Sequence, residues 1–228
     1  MFRRILGHLL IAVVAVVSAQ GAAANAPVTA SEPEAVYGDG IDFSILRDGN
    51  RVGSHSLRFE RAGNDLVVHA RSDIAVKVFG FTVYSFAYRS RGVWRDGELQ
   101  SLDATQTENG KEQAVVARRE NGVMRVTGPG GERNGPAGVF PTNHWHPGVL
   151  DADVVLNTLT GNLDAIAVRR LEGDDATPHR FEYSGGFEAE VWYDRYWRWT
   201  RLRFAARDGS AIDYVCTSCA EFAVGSTP

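Results

Sequence analysis

From Ile41 onward, apolar and polar residues alternate in short runs, each closed by residues suited to a tight turn. Ile41/Phe43/Ile45, Leu57/Phe59, Leu66/Val68, Ile74/Val76/Val78 and Tyr84/Phe86/Tyr88 recur at every second position. The C-terminal half continues with Phe181/Tyr183, Phe187/Ala189/Val191/Tyr193, Leu202/Phe204/Ala206 and Ile212/Tyr214. A period of two puts the apolar members of each run on one face of a strand. Between the runs stand Asp48-Gly49, Asp96-Gly97, Asn109-Gly110, Asn121-Gly122, Gly185-Gly186 and Asp208-Gly209. These dipeptides accept positive φ and match the twist of antiparallel hairpins. The pattern predicts an all-β fold: a single antiparallel meander over residues 41–228. A sheet that long curls into a barrel or half-barrel rather than lying flat. One short helix at most is expected, within 147–155, after the Gly/Pro-rich loop 128–138.

The alternation does not extend to the N-terminus. Arg3 and Arg4 precede an apolar run from Leu9 to Val17, and small residues follow through Ala26. A basic start, a short apolar segment and a small-residue exit predict a secretory signal peptide over 1–24, cleaved after Ala24. The apolar segment is too short to span a bilayer, and no cysteine near the junction could carry a lipid anchor. The expected location is the periplasm. Residues 25–40, rich in Ala, Pro and Glu, are expected to be a flexible leader.

The chain has 24 Lys+Arg against 28 Asp+Glu, a formal charge of −4. Losing Arg3 and Arg4 with the signal peptide leaves 22 against 28. Such a balance disfavours nucleic acid as a partner. The two cysteines, Cys216 and Cys219, are expected to form a disulfide in an oxidising compartment.

Three stretches carry a family resemblance. They are 43–49 followed by Val52-Gly53-Ser54-His55, then Val93-Trp94-Arg95-Asp96-Gly97-Glu98-Leu99, then Pro141-Thr142-Asn143-His144-Trp145-His146 together with 156–161 and Trp192-Tyr193-Asp194. Together they resemble an uncharacterised family of exported, β-rich bacterial proteins, classified as a domain of unknown function. The resemblance implies a barrel-like envelope protein and brings no catalytic residue with it. Trp197, close to a turn, and the Cys216/Cys219 tail depart from the pattern.

Candidate chemistry is sparse. His144 and His146 stand two apart, so on a strand both imidazoles would share a face. With Cys216 and Cys219 they would have the makings of a zinc site. The flanking prolines and an oxidised cysteine pair argue against it, so no metal and no cofactor is expected. Cys216 follows a strand pattern and lacks the helix N-terminus that activates a redox dithiol. No Gly-x-Ser-x-Gly or His-Glu-x-x-His sequence occurs. Asp174/Asp175 and Glu188/Glu190 are most simply solvated carboxylates, and the glycines at 128–131 lack the lysine of a phosphate loop.

Regular alternation from Trp197 would put Trp197, Trp199, Arg201 and Arg203 on one face, a stack of rings and guanidiniums. The leading expectation is a noncatalytic protein whose curved sheet binds an apolar or amphipathic ligand such as a lipid. Phe79, Phe81, Tyr84, Phe86, Tyr88 and Trp145 are the candidate lining residues. The alternatives are an enzyme built around His144 and His146, or a structural partner of another envelope protein through the Trp197 and Trp199 face.

Overall fold

The computed structural model describes residues 33–219. The expected signal peptide, its cleavage point and the leader as far as residue 32 lie outside the described residues. A short helix α1 (Pro33–Tyr37) comes first. The first meander contains β1 (Gly40–Arg47), β2 (Asn50–Ala62), β3 (Asp65–Val78), β4 (Phe81–Arg95), β5 (Glu98–Glu108), β6 (Lys111–Glu120), β7 (Val123–Gly128) and β8 (Gly131–Pro136). After β9 (Phe140–Pro141), a 3-10 turn at Pro147–Asp151 and β10 (Val154–Leu156), the second meander follows. Its strands are β11 (Leu163–Leu171), β12 (His179–Gly185), β13 (Ala189–Tyr193), β14 (Trp199–Ala205) and β15 (Ala211–Cys216).

The expected turns produce these hairpins. Asp48, Asp96, Asn109 and Asn121 each take φ between 48 and 52°, and each is followed by a glycine at positive φ. A fifth turn of the same kind is Phe79-Gly80, at φ 50 and 85°. A bulky residue rarely adopts that conformation.

Among the described residues the fifteen strands form one sheet, in the order β8 to β1, then β15 back to β9. Strands β1 and β15 pair antiparallel, Phe43 opposite Cys216, and join the two meanders. Among the described residues, only the β9–β10 pairing is parallel. The edges β8 and β9 share no ladder, so the sheet is curled but not closed. Side chains bridge part of the gap. Arg133 donates to Asn162 Oδ1 at 2.7 Å, and Gln106 donates to the Leu159 carbonyl at 3.1 Å. β8 comes from the glycine-rich stretch expected to be a loop. A Cβ on Gly135 would lie 2.9 Å from Leu163 Cδ2, so any larger residue there would push that side chain aside.

The inward faces of both meanders supply the core, including Ile41, Phe43, Leu57, Leu99, Met124, Tyr183 and Tyr193. One end of the barrel is stoppered by the chain itself. Trp145 is fully enclosed, edge-on to Phe59 at 5.3 Å and to Trp94 at 5.1 Å. Helix α1 lies over the same end. The residues before β1 are therefore not a flexible leader throughout. Tyr37 is buried, and its hydroxyl donates to the Trp145 carbonyl while accepting from Trp199 N.

The opposite end carries the Asp48-Gly49, Asn109-Gly110 and Asp208-Gly209 turns and a projecting arm. β2 pairs with β3 only as far as Ile74, and β5 pairs with β4 only as far as Phe86. Beyond those points, residues 75–78 pair only with the facing part of β4, whose Ser85 is also held by Asn109 of the neighbouring turn.

Candidate functional site

The structure spreads the expected lining residues over four environments. Phe79 and Phe81 sit at the tip of the arm, 98 % and 76 % exposed, and line no enclosed space. Tyr84 and Phe86 are half-buried at the arm's base, where Tyr84 hydrogen-bonds Glu108. Tyr88 is buried, its hydroxyl meeting Ser90 and Thr158. Trp145 belongs to the stopper at the far end and does not join the others.

A gradient of burial runs along the inward face. At the stoppered end Phe59, Trp94 and Leu99 are buried. At the arm end Ile74, Val76, Tyr84, Phe86, Phe204 and Ile212 are all only half-covered. On β3, β4 and β14 their parity matches that of buried Ala70, Tyr88 and Leu202, and Ile212 lies directly opposite Phe204, so they form an inward-facing apolar mouth. An open cleft of about 350 Å³ lies beside it, at the base of the arm, lined by Val52, Asp73, Ala75, Ser85, Ala87 and Thr107 among others. Those named side chains alternate with the inward row, and Ile74 and Phe86 of that row complete the lining, so the cleft adjoins the mouth from the outer face.

Between the mouth and the stopper lies a polar layer. His55 Nδ1 is 2.8 Å from Ser72 Oγ, and Ser72 also meets the Tyr214 hydroxyl. Both His55 and Ser72 are buried, with Phe43, Trp199 and Tyr214 around the imidazole. A Ser–His contact sealed by aromatic rings gives no substrate access, and it acts as a packed hydrogen-bonding layer. Sequence reasoning missed it because the pair is 17 residues apart on neighbouring strands. The only signal was two polar residues within apolar alternation.

His144 and His146 face different neighbours. The His144 ring packs against Tyr183 and Trp199, and its Nδ1 has no hydrogen-bond partner. His146 stacks on Trp94, and its Nδ1 accepts from Gly148 N, capping the 3-10 turn. Burial pushes His55 and His146 down to about 4 and His144 to about 3, with His55 adding repulsion at His144. All three are neutral at physiological pH. No group of three or more His, Cys, Asp or Glu able to hold a metal ion occurs among the described residues. Cys216 and Cys219 are joined as a disulfide.

The expected Trp197 and Trp199 face does not form. The pairing of Trp192 with Arg201 and Tyr193 with Trp199 leaves Thr200 as an extra residue. This bulge reverses the parity, and Trp199 turns inward onto Phe43, 4.2 Å between centroids. Trp197 lies outside β14, at φ 61°, stacked on His179. The outer stack is built instead on Trp192, with Arg180 and Arg201 over its ring at 5.2 and 4.8 Å. Arg180 also pairs with Glu190, and Asp174 caps its own loop by accepting from Thr177 N.

Residues 43–217 match the family described as a domain of unknown function, DUF6134, and the chain belongs to it. No curated protein matches the sequence. Among solved structures, the chain is similar to a beta-barrel-like protein of the domain of unknown function DUF1849 from Brucella abortus. The two share 10 % identity over 78 % of this chain and 94 % of that one, with a TM-score of 0.52. At that identity the likeness concerns the fold.

Proposed function

We propose that this is an exported, noncatalytic envelope protein that binds an apolar or amphipathic molecule, such as a lipid, at the arm end of its barrel. The observation that carries the reading is the burial gradient. The inward apolar row continues past the packed interior and ends in the half-covered ring around Tyr84, Phe86 and Phe204. Half-covered apolar surface at a concave mouth gains from any ligand that removes it from water. Each buried methylene contributes about 0.8 kcal/mol, so a chain of roughly a dozen carbons offsets the cost of association. The sealed His55–Ser72 contact and the separately packed His144 and His146 support binding over catalysis.

The test is titration of delipidated protein with a fluorescent fatty-acid probe. Wild type binds saturably, and folded Phe86→Glu, which sets a charge in the mouth, does not. A folded wild type without saturable binding contradicts the proposal.

A further inference from the structure

The β3–β4 arm has three properties that the barrel does not need. It stands clear of its neighbours: residues 75–78 pair only with the facing strand of the same hairpin. A lone two-stranded ribbon gains little stability by itself. Its tip is also apolar. Phe79 is almost fully exposed and Phe81 about three-quarters exposed, with Val78 at 46 % and Val83 at 57 % beside them. Finally, its turn is strained. Phe79 adopts φ 50°, whereas the other four turns of this kind use Asp or Asn at that position. An asparagine would relieve both the strain and the exposure, yet the chain places a phenylalanine there.

The charges on the arm narrow what the tip meets. From Ile74 to Ser85 the sole charged residue is Lys77, in a chain with 28 carboxylate residues. Four apolar side chains offer on the order of a few hundred Å². A stable protein interface takes about 800 Å² from each partner. A bilayer needs no matching surface, because it closes around whatever enters it. Phenyl rings with an adjacent lysine fit the boundary between acyl chains and anionic headgroups.

We propose that the arm docks the protein on a membrane containing anionic lipid, with Phe79 and Phe81 entering the acyl boundary and Lys77 at the headgroups. This contact is separate from the ligand mouth, since the two rings lie beyond the last residues that line it. The arm holds the mouth against the lipid surface.

The test is flotation of the protein, as recovered from the envelope of expressing cells, with two kinds of vesicle. One contains phosphatidylethanolamine and phosphatidylglycerol, the other phosphatidylcholine alone. Wild type floats with the first. The double variant Phe79→Asn/Phe81→Ser loses at least about ten-fold in partitioning, since the tip is the main apolar contact. Lys77→Gln loses roughly five-fold on anionic vesicles, the effect of about one cation near the surface, and nothing on phosphatidylcholine. Melting curves establish that each variant is folded. Equal flotation of wild type and the folded double variant overturns the proposal, as does absence of wild-type flotation. Self-association that disappears in the double variant overturns it in favour of a second copy of the chain. The fatty-acid titration on the same double variant keeps the two proposals distinct, because the mouth is intact there.

Discussion

The hydroxyl of Tyr37 lies 3.0 Å from the carbonyl oxygen of Trp145 and donates to it, across 108 residues of chain. The Tyr37 hydroxyl oxygen in turn accepts from the backbone N–H of Trp199 at 2.9 Å. A residue ahead of the first strand thus ties the internal stopper to the second meander. Two buried backbone groups depend on one phenol.

Tyr37→Phe leaves the Trp145 carbonyl and the Trp199 N–H buried without this partner. The expected loss is about 1–3 kcal/mol, read from urea unfolding. Trp145→Ala removes the ring between Phe59 and Trp94, and is expected to cost about 3–5 kcal/mol. Equal, negligible effects would mean that the stopper is not part of the cooperative unit.

Stability should fall as the medium is acidified from pH 6.5 toward 4. His55, His144 and His146 have folded values of about 4, 3 and 4, below the ordinary 6.5. A depressed histidine contributes fully above its unfolded value. Below that value the unfolded chain takes up a proton that the native protein refuses. Each of the three contributes up to about 1.4 kcal/mol per pH unit in that window. Denaturant midpoints between pH 7 and 4.5 measure the slope, and His144→Asn should reduce it by about one proton. A flat profile contradicts the neutral, buried assignment.

Phe79→Asn should raise stability by about 1 kcal/mol, because asparagine tolerates the left-handed conformation of this turn. Thermal unfolding checks it. A decrease would mean that the exposed ring makes a stabilising contact in the free protein.

The disulfide closes a loop only three residues apart in sequence. Replacing both cysteines by serine should cost at most about 2 kcal/mol, a shift of a few degrees in Tm for a domain of this size. Loss of folding in the double variant would contradict a merely local clip.

Where residue chemistry and backbone demand agree, the architecture was readable from the sequence. Asp48, Asp96, Asn109 and Asn121 announce turns because their side chains tolerate positive φ, and apolar alternation then assigns the faces. Phe79-Gly80 escaped notice because phenylalanine is a poor choice for that conformation. The orientation of Trp199 was misread because Thr200 adds one residue to its strand, and a single insertion reverses every face beyond it. Tyr37 looked like leader because its partners, Trp145 and Trp199, lie more than 100 residues away. The half-covered mouth was only partly legible. Alternation identifies Tyr84 and Phe86 as inward, but it carries no information about where along the barrel the packing stops.

Native mass spectrometry of the protein, purified without delipidation from the envelope of expressing cells, tests the central claim most directly. The account predicts a bound lipid at close to one per chain on wild type, and its loss from folded Phe86→Glu. A ligand-free wild type that also takes up no added lipid would contradict it.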